Sequence, residues 1–275
     1  MKWQTFALFI VFGLILAGCN GEKKSTDHPP QLHEEGQHSD DLQKDPMNRV
    51  EFEGEMIKKV NGEWFLFNQY FNQLKTVGQE KVIQNPENTL VLVNKEFSLP
   101  SDYKPNDLVK VNVPVVYESA EENYMRKEAA DALKQMFDDA KAQNIHLYAL
   151  SGYRSYQTQQ LIFDRQVNQD GYEKAILVVA EPGTSEHQTG LTMDITAESV
   201  NFDTSESFGE TKEGIWLKEN AHKYGFILRY PKGKESITQY SYEPWHFRYV
   251  GKEIATVIYE NDWTFEEFFG IVKEM

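Results

Sequence analysis

The chain has 275 residues with 28 lysines and arginines against 43 aspartates and glutamates, so its formal net charge is -15. Nucleic acids and anionic lipid surfaces attract basic proteins, and we therefore expect no nucleic-acid partner and no electrostatic binding to membranes. The only cysteine is Cys19, which excludes a disulfide within one molecule and leaves no thiol nucleophile elsewhere in the chain. The sequence predicts no protein partner.

The N-terminus has the pattern of a secretory signal. Lys2 precedes an apolar run from Phe6 to Leu16, and the run ends in Leu16-Ala-Gly-Cys19, which is a lipobox. The run is shorter than the ~20 apolar residues that a membrane-spanning helix needs. We expect a lipoprotein signal peptide over residues 1–18 and a lipidated Cys19 that holds the protein on the outer face of the plasma membrane, facing the cell wall. The alternative is an uncleaved membrane anchor.

Three further regions follow the signal. Residues 19–48 are polar and contain no aromatic side chain, which predicts a disordered tether behind Cys19. Residues 49–85 are interpreted as a small accessory segment with a hairpin whose turn is Asn61-Gly62 and whose core-facing side chains are Met56, Val60, Trp64 and Phe67. Residues 86–275 are predicted to form one catalytic domain.

The first half of this domain predicts helices around a short apolar strand. Leu90 to Val93 has the pattern of a buried strand, and Ser119 with Glu122 is a capping box that predicts a helix start. Ile145 to Leu150 is a second apolar run, followed by Ser151-Gly-Tyr-Arg-Ser155 and a helix to about Val167. Arg154 is therefore expected at a strand-to-helix corner, where its side chain can reach a cleft.

The second half predicts polar residues on strand faces. After a turn at Gly190, Asp194 alternates with apolar neighbours, and His246 lies on the face of a later strand opposite the aromatic residues. Glu243 has the wrong parity to share that face, so Pro244 is expected to break the strand. The C-terminus from Glu253 to Met275 has a helical pattern. The elements do not alternate as βαβ units, so we predict an α+β fold: a central antiparallel sheet flanked by helices.

The segments Ser185-Glu-His-Gln-Thr-Gly-Leu-Thr-Met-Asp194 and Glu243-Pro-Trp-His246 together carry two imidazoles, one aspartate and a spare glutamate. This is the inventory of a catalytic zinc site with an open fourth position and a general base.

Their pattern resembles the VanY-type D-alanyl-D-alanine carboxypeptidases and the related LdcB L,D-carboxypeptidases of bacterial cell walls. The similarity also includes Asn94-Lys95, Ser151 to Ser155 and Arg229-Tyr230-Pro231. The resemblance implies hydrolysis of the terminal D-alanine from peptidoglycan stem peptides, with Zn²⁺ as the cofactor. It implies these roles: His187, Asp194 and His246 as metal ligands, Glu243 as catalytic base, Arg154 as stabiliser of the scissile carbonyl, and Ser185, Ser155, Gln159 and Tyr230 as substrate contacts.

Two alternatives stay open. Ser101-Asp-Tyr-Lys104 fits the Ser-x-x-Lys pattern of penicillin-binding serine enzymes, although it lies among prolines and no Lys-Thr-Gly follows. The other alternative is a non-catalytic peptidoglycan-binding lipoprotein that retains the metal site. The sequence does not distinguish D,D cleavage of the pentapeptide from L,D cleavage of the tetrapeptide, and it assigns no role to residues 49–85.

Overall fold

The structure is a computed structural model that describes residues 49–118 and 121–275, with Leu177 described by its backbone only. The predicted signal peptide, the lipidation of Cys19 and the tether lie outside these residues. Within the described part, no helix has both the length and the apolar character needed to cross a bilayer.

Short strands and helices make up the described chain. The strands are β1 (Val50–Glu53), β2 (Ile57–Val60), β3 (Glu63–Leu66), β4 (Leu74–Val77), β5 (Glu80–Ile83), β6 (Phe97–Ser98), β7 (Leu108–Lys110), β8 (Tyr124–Arg126), β9 (Tyr148–Ser151), β10 (Thr192–Thr196), β11 (Phe226–Leu228), β12 (His246–Tyr249) and β13 (Lys273–Glu274). The α-helices are α1 (Lys127–Ala142), α2 (Tyr156–Asp170), α3 (Tyr172–Val178), α4 (Lys212–Asn220), α5 (Glu235–Thr238), α6 (Lys252–Glu260) and α7 (Phe265–Ile271).

The central sheet has four antiparallel strands in the order β11-β12-β10-β9. Its strands alternate as predicted: Met193 and Ile195 of β10 and Phe247 of β12 are buried in the main core. The apolar stripe of α1 packs into the same core, including Leu133, Met136 and Phe137. The predicted α+β class, with an antiparallel sheet flanked by helices, is confirmed.

A second core joins the N-terminal strands to the C-terminal helices. Ile57 and Leu66, which pair across the β2–β3 hairpin, are fully buried together with Ile254 and Phe265. Asn61 and Gly62 have φ angles of 52° and 82°, so both turn residues adopt the left-handed conformation that a tight hairpin needs.

The hairpin was predicted correctly, but its buried face was predicted wrongly in part. Val60 is half-buried and Phe67 is exposed, whereas the pair Ile57 and Leu66 lies at the centre of the contact.

The predicted helix start at Ser119 is wrong. Ser119 itself lies outside the described residues, but Glu121–Asn123 forms a 3-10 turn, β8 follows it, and α1 begins at Lys127. The carbonyl oxygens of Glu122 and Tyr124 accept hydrogen bonds from the backbone of Gly152 and Tyr153. These tertiary contacts outweigh the local capping signal.

The predicted strand at Leu90–Val93 is also wrong, although all four residues are buried. Side chains, not a neighbouring strand, make hydrogen bonds to the backbone N–H and C=O groups of this segment. The Asn72 amide bonds both the N–H and the C=O of Leu92, and the Arg248 guanidinium donates to the carbonyl of Val91.

Two boundaries also differ from the prediction. β9 begins at Tyr148, so Ile145 to Leu147 precede the strand. The C-terminal region contains α6 and α7 as expected, but it ends in β13, which pairs in parallel with β3. Residues 273–274 form a strand because the edge of β3 is available for pairing, and a local sequence pattern does not contain this information.

Candidate metal centre and active site

The central sheet places Asp194 and His246 side by side. They are directly opposed on the antiparallel strands β10 and β12, so their side chains emerge on the same face. His187 lies on the 3-10 turn Glu186–Thr189, which ends at Gly190 with a φ of 67°. A Cβ at Gly190 would lie 2.8 Å from the Leu108 side chain, so this position favours glycine for both its φ angle and its space. The turn brings His187 back beside Asp194.

The three side chains converge at distances that suit a metal ion. His187 Nε2 lies 3.4 Å from Asp194 Oδ2, and His246 Nδ1 lies 3.1 Å from Asp194 Oδ1. One ligand atom from each residue lies within 4.8 Å of the other two. Ligands about 2.0–2.1 Å from a tetrahedral Zn²⁺ are separated by roughly 3.3 Å, so the spacing is compatible with zinc.

Hydrogen bonds select the nitrogen that each histidine presents. The Nδ1–H of His187 donates to the Gly152 carbonyl at 2.7 Å, which leaves the lone pair of Nε2 facing Asp194. His246 presents Nδ1 to Asp194, while its Nε2 lies 3.4 Å from Glu186 Oε2. Asp194 Oδ1 is buried, and the His246 Nδ1 that lies 3.1 Å from it does not have the geometry of a hydrogen bond. An unpartnered carboxylate oxygen between two oriented imidazoles fits a cation.

The pKa values of the two histidines are shifted in opposite directions. Burial and the nearby Arg154 lower the pKa of His187 to about 3, so His187 is neutral at physiological pH and available as a ligand. Burial also acts to lower the pKa of His246, but the carboxylates of Asp194 and Glu186 reverse the effect and raise it to about 9. Acidic groups therefore concentrate negative potential where a cation would lie.

Glu243 lies at the edge of the same group. Its Oε2 is 3.6 Å from His246 Nδ1, and Pro244 and Trp245 form the turn before β12 begins. The strand break predicted at Pro244 is therefore present and brings Glu243 beside His246 despite its parity. Burial, with a further contribution from Asp194, raises the pKa of Glu243 to about 7. A carboxyl group with this pKa can accept and return a proton near neutral pH.

Arg154 occupies the predicted corner between β9 and α2. Its Nη1 donates to Gln159 Oε1 at 2.8 Å, and Gln159 donates in turn to the Ala180 carbonyl at 2.7 Å. The Nε of Arg154 is buried and has no partner in the part of the chain that the structure describes. Arg154 lines the cleft beside the ligand residues, and Gln159 holds its guanidinium in place.

The other predicted substrate residues are divided between the cleft and a helix end. Ser185 and Tyr230 line a cleft of about 210 Å³ together with Arg154, Gln159, Glu243 and the three ligand residues. The Ser155 hydroxyl instead accepts a hydrogen bond from the Thr158 backbone and caps α2. The substrate roles of all four residues stay predictions.

Glu186 is a feature that the sequence interpretation missed. Its Oε1 accepts from Arg229 Nε at 2.9 Å and from Arg248 Nη1 at 2.8 Å, and all three side chains are fully buried. Arg229 also binds both carboxylate oxygens of Glu266 on α7. Two features of the sequence could have indicated this cluster. Glu186 is next to His187, and Arg248 lies two residues after His246, on the same face of the strand.

The Ser-x-x-Lys alternative has no support in the fold. Ser101 and Asp102 lie in a turn, and Tyr103 and Lys104 are irregular, whereas that motif should open a helix.

Comparisons with known proteins identify the family of this chain. The family model described as VanY, D-alanyl-D-alanine carboxypeptidase, matches residues 122–252. The Bacillus subtilis (strain 168) protein YodJ is 48% identical over 280 residues, which cover 100% of this chain and 98% of YodJ. A structure of the LdcB LD-carboxypeptidase, reported for its peptidoglycan recognition, has a TM-score of 0.75 and 55% identity, covering 77% of this chain and 99% of LdcB.

A mutant of the vancomycin resistance D,D-pentapeptidase VanY, solved in complex with Zn(II), has a TM-score of 0.53 and 35% identity. That match covers 66% of this chain and 98% of the VanY chain. The family model covers all the metal-site residues, and the relatives extend the similarity over most of the chain. The chain therefore belongs to the VanY family of carboxypeptidases.

Proposed function

We propose that this carboxypeptidase depends on zinc and removes the terminal D-alanine from peptidoglycan stem peptides. The observation that carries the proposal is the convergence of His187, Asp194 and His246 beside Glu243. The similar VanY structure contains Zn(II), and this supports the choice of metal. The retained Glu243 carboxylate beside these residues favours an active enzyme over a protein that only binds the wall.

His187, Asp194 and His246 would hold the zinc ion. When bound, zinc acts as a Lewis acid, so a water molecule loses its proton more readily and a carbonyl carbon is attacked more readily. Glu243 takes the proton of the attacking water and returns it to the amine that leaves. Arg154, which lines the cleft, would offer a guanidinium N–H to the oxygen of the scissile carbonyl as negative charge develops there. One such donor typically contributes about 3 kcal/mol to stabilising a transition state.

The remaining cleft residues would bind the end of the substrate. Ser185 immediately precedes the 3-10 turn, and its side chain makes no cap hydrogen bond there, so its hydroxyl is available to the terminal carboxylate. Tyr230 lies with its ring centroid 4.8 Å from that of His246 and forms an apolar wall beside the ligands. Gln159 acts by positioning Arg154.

We propose that the tetrapeptide is the preferred substrate, so that the cleavage is of the L,D type. The similarity to LdcB supports this choice, because both its identity and its TM-score exceed those of the VanY structure. D,D cleavage of the pentapeptide is the second candidate, supported by the description of the matching family model.

We also propose that a lipidated Cys19 anchors the enzyme to the outer face of the plasma membrane. The support is the lipobox at the end of the apolar run in the sequence. A tether behind the lipid would let the catalytic part reach the wall. Mass spectrometry of the protein from membranes should find an N-terminal diacylated cysteine, and a free Met1 would contradict the anchor.

The test of the activity uses tetrapeptide and pentapeptide stems with the zinc-loaded protein, followed by mass. We expect loss of one alanine, faster from the tetrapeptide and abolished by a chelator. Faster loss from the pentapeptide would favour the D,D candidate. No loss from either stem, with zinc bound, would leave the wall-binding alternative.

A further inference from the structure

A cavity of about 600 Å³ lies next to the catalytic cleft and has no part in the mechanism above. One wall comes from residues 77–82 of the β4–β5 hairpin, and another from residues 95–102. The chain between 180 and 185 separates the two spaces: Ala180 and Ser185 line the cleft, whereas Glu181 and Thr184 line the cavity.

Most of the cavity wall lies N-terminal to the range that the family model matches. The family model begins at residue 122, so the β4–β5 hairpin and residues 95–102 lie outside the range it matches. The hairpin belongs to the accessory segment predicted over residues 49–85, to which no role could be assigned from the sequence. The cavity therefore indicates what this segment contributes beside the catalytic residues.

Lys95 is the cation of this cavity that lacks an acidic partner. Its Nζ donates to the Ile176 carbonyl at 3.0 Å, and no carboxylate of the described residues lies within 4.0 Å. Glu181, the acidic group that acts on it from further away, is held by the hydroxyl of Tyr172 at 2.9 Å. Lys81, the other lysine of the cavity, forms an ion pair with Glu96. Lys95 therefore keeps ammonium protons for an anion.

Aromatic rings connect Lys95 to the candidate metal centre. The Lys95 ammonium lies 4.8 Å from the ring centroid of Tyr240, Tyr240 lies 4.7 Å from Tyr230, and Tyr230 lies 4.8 Å from His246. An extended peptide advances about 3.3–3.6 Å per residue, so a few residues of substrate span this row.

We propose that the cavity binds the part of the stem peptide upstream of the scissile bond, and that Lys95 binds a carboxylate there. This inference rests on the proposed function. A carboxypeptidase releases a single residue, so substrate that extends beyond the cleft must lie on the upstream side. Stems whose second residue keeps a free carboxylate carry a suitable anion, and an ammonium–carboxylate hydrogen bond is among the stronger polar contacts.

The test compares Lys95→Met with Lys134→Met in the full-length, zinc-loaded protein. Lys134 lies on α1, forms an ion pair with Asp138 and lines neither the cavity nor the cleft. Each variant receives two stems that differ only at the second residue, which carries a free carboxylate in one and an amide in the other. We expect Lys95→Met to raise KM about tenfold for the acidic stem and less than about twofold for the amidated stem, with kcat unchanged within about twofold. Lys134→Met should leave the KM of both stems within about twofold, because its charge is already paired and it lies outside the cavity.

Equal changes of KM on both stems, or no change on either, would overturn the proposal. Unchanged melting temperatures show that the variants are folded. If the wild-type protein hydrolyses neither stem, the proposed function fails, and direct titration with the same two peptides still tests the site. Wild-type protein should then bind the acidic stem more tightly, and Lys95→Met should abolish that preference.

Discussion

Individual side chains around the metal centre have separable roles, and Glu186 shows this most clearly. It contacts His246 on the side away from Asp194 and is itself held by two buried arginines. A carboxylate in this position fixes the orientation of a ligand histidine and makes it a stronger ligand.

We predict that Glu186→Gln lowers zinc affinity about 10- to 100-fold. Because the substitution also removes the buried carboxylate that pairs with both Arg229 and Arg248, it will reduce stability as well. Glu266→Gln is the matched control, since Glu266 binds Arg229 but not His246. Zinc titration should find near wild-type affinity in the Glu266 variant. Equal losses of zinc affinity in both variants would show that the loss comes from reduced stability and not from the contact between Glu186 and His246.

Arg154 is expected to act on the reaction and to have little effect on the metal. We predict that Arg154→Met lowers kcat about 10²- to 10³-fold while zinc stays bound. Arg165→Met is the control, because Arg165 is exposed on α2, the helix that follows Arg154. Steady-state kinetics with measured zinc content provides the test. A wild-type kcat in the Arg154→Met variant would contradict a catalytic role for Arg154.

At the level of strands and turns, the site depends on the close packing of Gly152, which follows β9, against the backbone of Glu122 and Tyr124. Gly152 supplies the carbonyl that orients His187, and a Cβ at Gly152 would lie 2.6 Å and 2.7 Å from the carbonyl oxygens of Tyr124 and Glu122. Backbone atoms cannot yield at that distance without moving the segment 121–126.

We predict that Gly152→Ala therefore weakens both zinc binding and stability. Gly270→Ala in α7 is the control, because a Cβ there meets nothing within 4 Å. Alanine in a helix is favoured over glycine by up to about 1 kcal/mol, so this variant should be as stable as the wild-type protein or more stable. Thermal unfolding and zinc titration of both variants measure the difference. A Gly152→Ala protein with unchanged affinity would show that His187 does not need this carbonyl.

The elements that could be predicted from sequence are those fixed by local pattern. The hairpin turn at Asn61-Gly62, the corner at Arg154 and the break at Pro244 all follow from turn chemistry and parity. The candidate ligands and Glu243 were found because their spacing matches a known family. The start of α1, the conformation of Leu90–Val93 and the pairing of β13 depend on distant partners, which no local pattern contains. Glu186 was missed for a similar reason, since its burial between two arginines appears only in the folded chain.

Across the chain as a whole, a metal ion would tie together the turn at His187, β10 and β12. A ligand that binds only the folded state stabilises it by about 2.7 kcal/mol at a hundredfold excess over Kd. For a protein of this size each kcal/mol corresponds to about 2–4 °C in melting temperature. We therefore predict that chelation lowers Tm by roughly 5–10 °C in the wild-type protein and in Glu243→Gln, but not in His187→Ala. Identical melting curves with and without zinc would contradict a metal site within the fold.

The central claim is that Glu243 acts as a base beside a zinc ion held by His187, Asp194 and His246. It is tested most directly by measuring zinc content and stem-peptide hydrolysis together in Glu243→Gln, with Glu206→Gln as an exposed control. We predict one bound zinc ion in each protein, wild-type turnover in the control, and turnover reduced about 10²- to 10⁴-fold in Glu243→Gln. Undiminished turnover in Glu243→Gln, or loss of its zinc, would contradict the assignment.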